Sequence, residues 1–427
     1  MKKMDYQNVK GTQDYLPGSE IIRRKVRRTL EDVFIKYGCK PLETPILNYQ
    51  ELLASKYGGG AEILQEMYTL SDRGERELAL RYDLTIPFAK VVAMNPGIRM
   101  PFKRYEIGKV FRDGPIKTGR LREFTQCDVD IVGVDSQLAE AELMMMAVEA
   151  FRELDLDVTI QYNNRKLLTG ILEVFETPSE KINEVVLTID KLEKIGLEGV
   201  IEELIEKELP VETVHTIKML LSDVRAKEID YFEQYMDKNE LVKQGVEELN
   251  ELNSFLKYLK IENECVFNPY LARGLEIYTG TIYEIFLLNE KVKSSIGSGG
   301  RYDNAIGGLI GNNQTYATVG ISFGLDVIFT AMQLIGKDSI KDCETDYYII
   351  PLNTEKEALL VATFLRRKGF NVELEMAREK LGKVMDRANK ENIRKVILIG
   401  EEEVRNNFYK VKDMVSGEEV LEVFKYN

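Results

Sequence analysis

The sequence predicts an α+β first domain on an antiparallel sheet with a helical insertion, followed by a small α/β C-terminal domain. Strand-like runs recur between residues 40 and 132 without the regular strand–helix alternation of a parallel sheet. Charged helical sequence, rich in opposite charges four residues apart, fills residues 167–260. Because 427 residues exceed one compact core, we place the first domain at 1–335, the insertion at 167–260 within it and the C-terminal domain at 345–427.

The first domain opens with a helix, which we predict from about Ser19 to Tyr37 with Gly38 as its stop. The basic residues on this helix indicate a solvated face over an apolar seam or, as the weaker alternative, a nucleic-acid contact. The run Glu123–Val132 alternates polar and apolar residues, as a half-buried antiparallel strand does. Further strands are predicted at 40–42, 77–80, 104–111, 278–288 and 317–322, and a further helix at 136–154.

In the C-terminal domain, strands and helices alternate cleanly, which is typical of a small α/β unit. Predicted strands lie at 347–352, 371–375 and 395–399, and predicted helices at 355–368 and 380–389. The apolar runs are short, and none approaches the roughly 20 residues of a membrane span. We therefore expect a soluble, cytoplasmic protein without a membrane partner.

Composition excludes several kinds of chemistry. His215 is the single histidine and lies in helical sequence away from the glycine-rich and arginine-rich stretches, so histidine-based acid–base catalysis and histidine-ligated metals are not expected. The four cysteines are scattered without a C-x-x-C pair, which excludes a zinc knuckle and fits a reducing compartment. The net charge of −13 counts mildly against nucleic-acid binding, although a local basic face can still contact phosphates.

A basic loop follows Arg112 and contains Arg120 and Arg122 before Phe124. Guanidinium groups that enter and leave a loop between two strands can grip a polyphosphate from both sides. An aromatic ring beside them can stack on a purine. A charged hairpin on a solvated sheet edge explains the same pattern equally well.

Two glycine-containing stretches are further candidates. Arg273 precedes Gly274 and a predicted strand, a position that allows close approach of a ligand, although an ordinary turn fits as well. The run 297–303 is glycine-rich, but Tyr302 stands where a dinucleotide motif needs glycine, and the sequence has no P-loop motif. We expect a phosphate site here to be lined by arginines.

Two carboxylates, Asp83 and Asp130, fall in otherwise apolar strand-like sequence. A buried carboxylate needs a partner, because removing a charge from water is unfavourable unless it is paired or hydrogen-bonded. The sequence therefore predicts either an arginine or a cationic ligand beside each of them.

Five segments in order resemble the signature motifs of histidyl-tRNA synthetases, within the class II aminoacyl-tRNA synthetases. The stretch 109–130 resembles the second class II motif, and 80–88 is similar to the substrate-binding segment of the eukaryote-like branch. The stretches 271–275 and 299–303 resemble the two histidine-specific signatures, and 319–325 the third class II motif. The resemblance covers essentially the whole chain, including the insertion and the C-terminal domain.

The resemblance implies ATP-dependent activation of histidine and its transfer to tRNA. It implies that Arg112 and Arg273 bind the α-phosphate of ATP. It also implies that Arg120 and Phe124 bind ATP, with adenine stacked on the Phe124 ring. It assigns the substrate α-ammonium to Asp83, Thr85 and Gln126. It implies that Asp130 and Tyr278 bind an imidazole N–H group and that Tyr302 also belongs to the substrate site. It further implies a homodimer through a first motif near Pro41–Leu47, an anticodon-binding C-terminal domain, and Mg²⁺ that is carried by ATP without a dedicated protein site.

The sequence departs from the family pattern at two positions. Val327 stands where the third motif has an arginine, and Ile277 replaces one of two aromatic residues near the substrate ring. Losing a charge-assisted contact to ATP typically costs about 1.5–3 kcal/mol. Two alternatives are therefore a divergent second copy of the ligase and a non-catalytic or repurposed relative, such as a regulatory subunit of histidine biosynthesis.

Overall fold

The computed structural model describes residues 6–55, 64–116, 119–272, 277–289, 292, 294–311, 314–337, 344–377 and 379–426. The chain divides into two compact units, Met1–Asp338 and Ser339–Asn427. None of the helices in the described ranges is long and apolar enough to cross a membrane.

The first unit is organised around a large sheet. Among the described residues it has eight strands in the order β1-β5-β6-β11-β10-β9-β7-β8, and a small sheet has the order β2-β4-β3. The strands are β1 Lys40–Pro41, β2 Leu47–Tyr49, β3 Thr69–Ser71, β4 Glu77–Leu80, β5 Phe102–Phe111, β6 Glu123–Val132, β7 Val158–Asn164, β8 Cys265–Phe267, β9 Thr281–Leu287, β10 Gly297–Arg301 and β11 Thr318–Gly324.

The large sheet has the predicted antiparallel pairing at its centre and adds a parallel pair at each edge. Its central pairs, from β5 through β6, β11, β10 and β9 to β7, are antiparallel. Both edges are parallel, because β1 pairs with β5 and β7 pairs with β8 in that sense. A parallel pair needs a long crossover, and the helical residues between β7 and β8 supply one.

Helices cover this sheet and fill the segment between β7 and β8. The first helix begins at Pro17 rather than at the predicted Ser19, since proline fits the first turn of a helix. The helices of the unit are Pro17–Lys36, Gln50–Leu53, Thr85–Met94, Leu138–Glu153, Arg165–Val174, Ile182–Ile189, Leu192–Glu206, Val211–Ser222, Glu240–Leu259, Ala305–Ile310 and Leu325–Leu334, with 3₁₀ turns at Ser179–Lys181, Val224–Lys227 and Ile229–Tyr235.

The second unit has a five-stranded sheet in the order β13-β12-β14-β15-β16. Its elements are β12 Tyr347–Pro351, helix Glu355–Arg367, β13 Val372–Leu374, helix Leu381–Lys390, β14 Lys395–Ile399, helix Glu401–Arg405, β15 Phe408–Asp413 and β16 Glu419–Val423. Strands β12, β13 and β14 are parallel, and an antiparallel hairpin of β15 and β16 extends the sheet beyond the predicted elements. Separate apolar clusters cover its two faces.

A buried ion pair fixes the helix Leu138–Glu153 to strand β10. The Nε and Nη2 atoms of Arg301 donate to the two carboxylate oxygens of Glu140 at 2.6 and 2.8 Å, and both residues are buried. Two parallel hydrogen bonds of this kind fix orientation as well as distance. Arg301 therefore fixes the end of strand β10 against this helix.

We expect Arg301→Met to lower the free energy of unfolding by about 3–5 kcal/mol, because it leaves the Glu140 carboxylate buried without a partner. Urea denaturation followed by far-UV circular dichroism measures the change. The exposed pair of Lys218 and Glu198 offers a control, since Lys218→Ala should leave the midpoint unchanged. Equal midpoints for all three proteins would contradict the role assigned to this ion pair.

Candidate active site

Strand pairing brings the polar side chains of β6 together with those of its neighbours. Asp130 lies opposite Arg104 on β5 and Gly320 on β11, and Asp128 lies opposite Glu106 and Ser322. Because side chains alternate along a strand, Gln126, Asp128 and Asp130 share one face. A polar row therefore runs along the centre of the sheet.

This row opens into a cavity that is partly open to solvent. Carboxylates, hydroxyls and glycine backbone line it in place of a uniform apolar wall. Five predicted site residues are among its lining: Asp83, Thr85, Asp130, Tyr278 and Tyr302. The remaining lining residues are Asp128, Ile277, Ser298, Gly299, Gly300, Gly320, Ile321 and Ser322.

Asp130 is paired with an arginine, one of the two kinds of partner that its apolar surroundings predicted. Arg104 is fully buried, contacts the Asp130 carboxylate at 2.6 Å and lies over the ring of Phe88, 4.4 Å from its centroid. The hydroxyl of Tyr302 donates to Oδ1 of Asp130. Burial raises the pKa of Asp130, while Arg104 and Tyr302 act in the opposite direction. Any side chain at position 320 would collide with this carboxylate, which explains the glycine there.

Asp83 lies in a turn rather than in the strand-like context that the sequence suggested. Its Oδ1 accepts the backbone N–H groups of Thr85 and Ile86, both at 3.1 Å, at the start of the helix Thr85–Met94. Burial raises the pKa of Asp83 to about 6, although these N–H groups and the nearby Arg112 lower it. The carboxylate is thus held on the cavity wall by the turn that begins a helix.

Ser322 joins two of the β6 side chains. The amide Nε2 of Gln126 donates to the Ser322 hydroxyl at 2.8 Å, and Ser322 also hydrogen-bonds the carboxyl group of Asp128. Within the described residues, Oε1 of Gln126 and Oδ1 of Asp128 are buried without a hydrogen-bond partner. Asp128 has no role in the sequence prediction. Its position two residues from Gln126 and two from Asp130 is the signal that could have placed it in the same site.

The predicted ATP-binding residues lie at the loop end of β5 and β6. The guanidinium carbon of Arg112 lies 5.2 Å from the centroid of the Phe124 ring, and its Nε donates to the carbonyl of Tyr82 at 3.0 Å. Arg120 binds the Glu66 carboxylate at 2.8 and 3.0 Å. Arg112 and Phe124 are therefore adjacent, whereas Arg120 is engaged in an ion pair. Arg273 lies outside the described residues.

The two departures from the family pattern occupy distinct places. Ile277 lines the cavity, where it presents an apolar side chain. Val327 packs against the turn at Gly119, so closely that a Cβ atom at residue 119 would lie 2.5 Å from the valine Cγ2. Gly119 has a φ of 75°, a conformation that suits glycine. The valine thus packs beneath the predicted ATP loop.

Charge explains what this cavity can bind. The carboxyl groups of Asp83, Asp128 and Asp130 face it, and the arginine buried among them, Arg104, pairs with Asp130. Ligand N–H groups and cations suit the resulting excess of acceptors. Arg112, near Asp83 and above Phe124, supplies positive charge for an anion.

Two family models match this chain. The model described as histidyl-tRNA synthetase matches residues 11–328, and the model described as anticodon binding domain matches residues 346–424.

Similar proteins extend these matches over the whole chain. Histidine–tRNA ligase 2 of Shouchella clausii is 59% identical over 98% of each chain. The crystal structure of histidyl-tRNA synthetase from Nostoc sp. PCC 7120 is 29% identical, with a TM-score of 0.85 over 99% of this chain and 97% of that one. An ATP phosphoribosyltransferase regulatory subunit/histidyl-tRNA synthetase from Bacillus halodurans has a TM-score of 0.76 at 18% identity over 94% of this chain and 100% of that one, which shows the fold alone. These relatives are bacterial and give no support to the predicted eukaryote-like branch.

The Asp128 carboxyl group makes stability depend on pH, because burial, the largest effect, raises its pKa to about 8. Between about pH 4 and pH 8 the unfolded chain ionises this group while the folded chain keeps the proton, so rising pH favours unfolding. We expect Asp128→Asn to remove this loss. From pH 5 to pH 8, the free energy of unfolding of the variant should rise relative to that of wild type by about 3–4 kcal/mol, in urea denaturation without ligand. Parallel pH profiles for the two proteins would contradict the assignment.

Proposed function

The chain belongs to the histidyl-tRNA synthetase family, and on that premise we propose that it is a histidine–tRNA ligase, which activates histidine with ATP and transfers it to tRNA. The observation that carries this proposal is the buried carboxylate-lined cavity, which adjoins an arginine and an aromatic ring. Its acceptors suit the ammonium and ring N–H groups of histidine, and its arginine suits the carboxylate. The match to an anticodon binding domain at residues 346–424 supports tRNA as the acceptor.

In this proposal the histidine lies along β6. Its α-ammonium binds Asp83, Thr85 and Gln126, whose Oε1 is a buried acceptor without a partner within the described residues. Its ring reaches Asp130, and Tyr278 and Tyr302 complete the wall around it. Arg104 fixes Asp130 from behind, so that the carboxylate meets the ring in one orientation.

ATP binds at the outer end, where Arg112 faces both the α-phosphate and the substrate carboxylate. Phe124 stacks on adenine. The short distance between the Phe124 ring and the Arg112 guanidinium group fits a nucleotide whose base contacts one and whose α-phosphate contacts the other. Arg120 joins ATP after leaving Glu66. Arg273 adds positive charge at the α-phosphate, as the family resemblance implies. Mg²⁺ enters with ATP, and within the described ranges no cluster of side chains suits a metal of its own.

The chemistry needs charge stabilisation and alignment more than proton transfer. One oxygen of the histidine carboxylate attacks the α-phosphorus of ATP, the bond to the β-phosphate oxygen breaks, and pyrophosphate leaves. A tRNA ribose hydroxyl then attacks the activated carbonyl, and AMP leaves. Fixed guanidinium groups stabilise the negative charge that develops in such steps. This fits a chain with one histidine, His215, which lies in the helix Val211–Ser222.

We also infer a homodimer and a cytoplasmic location, where ATP and tRNA are available. Strand β1 lies at the edge of the large sheet, within the region expected to carry the first class II motif. Three apolar side chains follow it with more than a third of their surface exposed: Ile46, Leu47 and Tyr49. Leu47 and Tyr49 belong to β2, at the edge of the small sheet. An exposed apolar stretch at a sheet edge supports an interface there.

Histidine-dependent exchange between ATP and pyrophosphate tests the ligase directly. The purified protein should catalyse this exchange at millimolar histidine. Without histidine, the exchange should not exceed background. Absence of exchange would favour the alternative of a regulatory relative, for which Val327 in place of the third-motif arginine is the supporting observation.

We expect Arg112→Ala to lower kcat/KM for histidine-dependent exchange by about 10²–10³-fold, because it removes a preorganised charge at the developing negative charge. Arg273→Ala should abolish adenylate formation in a folded protein. Arg152→Ala serves as the control, since Arg152 forms an exposed pair with Glu264 and should leave exchange unchanged. Unaltered exchange in the Arg112 or Arg273 variant would contradict the roles given to these arginines.

Binding of tRNA should weaken steeply with salt despite the net charge of −13, since contacts to phosphates release counterions. Each phosphate contact to duplex RNA should contribute a slope near −1 in a plot of log affinity against log salt, by analogy with the about −0.9 of B-DNA. Filter binding or fluorescence anisotropy with tRNA between low and physiological salt measures this slope. Binding that is absent or independent of salt would favour the regulatory alternative.

A further inference from the structure

Asp128 is the carboxyl group of the cavity for which the proposed reaction has no use. Its side chain is buried, with 4% of the residue exposed, and it lines the same cavity as Asp130. One carboxylate oxygen, Oδ1, has no hydrogen-bond partner among the described residues. A buried carboxyl oxygen left without a hydrogen-bond partner costs about 1–3 kcal/mol, so its presence indicates a partner that arrives with the ligand.

The charged groups that face Asp128 leave it without a cation of its own. On β5, Arg104 contacts Asp130 at 2.6 Å, and Glu106 is paired with Arg81 at 2.7 Å. Asp83 faces it from the turn before the helix Thr85–Met94, and its negative charge disfavours ionisation of Asp128. The other facing groups are hydroxyls, those of Ser322 on β11 and of Tyr302 after β10. Two carboxyl groups, those of Asp83 and Asp128, are thus left without a buried arginine to balance them.

The order of residues along β6 places Asp128 between two parts of the substrate. Gln126 lies nearer the end that carries Arg112 and Phe124, and Asp130 lies farther into the sheet. Residues two apart on a strand are about 6.7 Å apart. An imidazole ring with one hydrogen bond of about 2.8 Å at each nitrogen spans a comparable distance. Asp128 and Asp130 are therefore spaced to hold the two nitrogens of a single ring.

We propose, resting on the histidine-ligase function above, that Asp128 is a second ring-reading residue and that the cavity holds histidine as the imidazolium cation. Asp128 accepts the N–H of the ring nitrogen nearer the α-carbon, and Asp130 accepts the N–H of the farther one. Both ring nitrogens donate only in the imidazolium form. Two carboxylates along one strand thus select a ring that can carry two protons.

The proton needed for this state is already in the empty cavity. Burial raises the pKa of Asp128 to about 8, so its carboxyl group is largely protonated at neutral pH. When a neutral imidazole enters, the O–H bond of Asp128 breaks and an N–H bond forms on the ring. Carboxylate and imidazolium appear together, and no proton is taken from solvent.

Asp128→Asn tests the proposal with two substrates, histidine and 2-fluorohistidine, whose ring has nearly the same shape but is much less basic. For wild type, kcat/KM in pyrophosphate exchange should strongly favour histidine. In the variant, kcat/KM for histidine should fall about 10–100-fold, the loss of one charge-assisted contact. In the variant, kcat/KM for 2-fluorohistidine should fall much less, so the preference for histidine over 2-fluorohistidine becomes smaller. Asp135→Asn, at an exposed position after β6, should leave both values unchanged.

Nitrogen-15 NMR of labelled histidine bound to the protein gives a readout independent of turnover. At pH 8 the ring bound to wild type should show the shifts of an imidazolium, and the ring bound to Asp128→Asn those of a neutral imidazole. A neutral ring on wild type, or an unchanged preference in the variant, overturns the proposal while the ligase function stands. Absence of any histidine-dependent exchange by wild type removes the ligase function and this inference together.

Discussion

The buried ion pair between Arg104 and Asp130 is the constraint on which the site depends. Arg104 has no exposed surface, and a charge in that position is tolerable only beside a carboxylate and an aromatic face. This requirement fixes β5 against β6, sets Asp130 toward Tyr302 and excludes any side chain at Gly320. The same pair that stabilises the centre of the sheet therefore also shapes the cavity.

Much of the fold follows from local pattern. Strands β4, β6 and β14 have the predicted limits, because alternating or continuous apolar runs determine where a strand begins and ends. Strand β10 carries no such signal, since Gly297-Ser298-Gly299-Gly300 has low strand propensity. Its neighbours impose the extended form: side chains at 299 and 300 would collide with the Gly320 carbonyl and the Tyr278 ring. The parallel edges likewise depend on contacts between residues far apart in sequence.

The site was predictable to a similar degree. The apolar surroundings of Asp130 predict either an arginine or a cationic ligand beside it. The sequence does not indicate that Arg104 is the partner, because the pairing register of β5 and β6 decides this. Asp83 lies in a turn, although its apolar neighbours in the sequence resemble those of a strand residue. Arg112 and Arg120 look equivalent in sequence, yet Arg120 binds Glu66 whereas Arg112 lies over Phe124. The two arginines differ in their tertiary contacts, which the sequence does not show.

The contact between Val327 and Gly119 links the third-motif position to the predicted ATP loop. A methyl group of Val327 packs against the turn, in which Gly119 has a left-handed conformation. A longer side chain such as arginine at position 327 would have to displace this turn before it could reach a phosphate. The size of residue 327 and the path of the turn are therefore linked, and a substitution at one position requires a compensating change at the other.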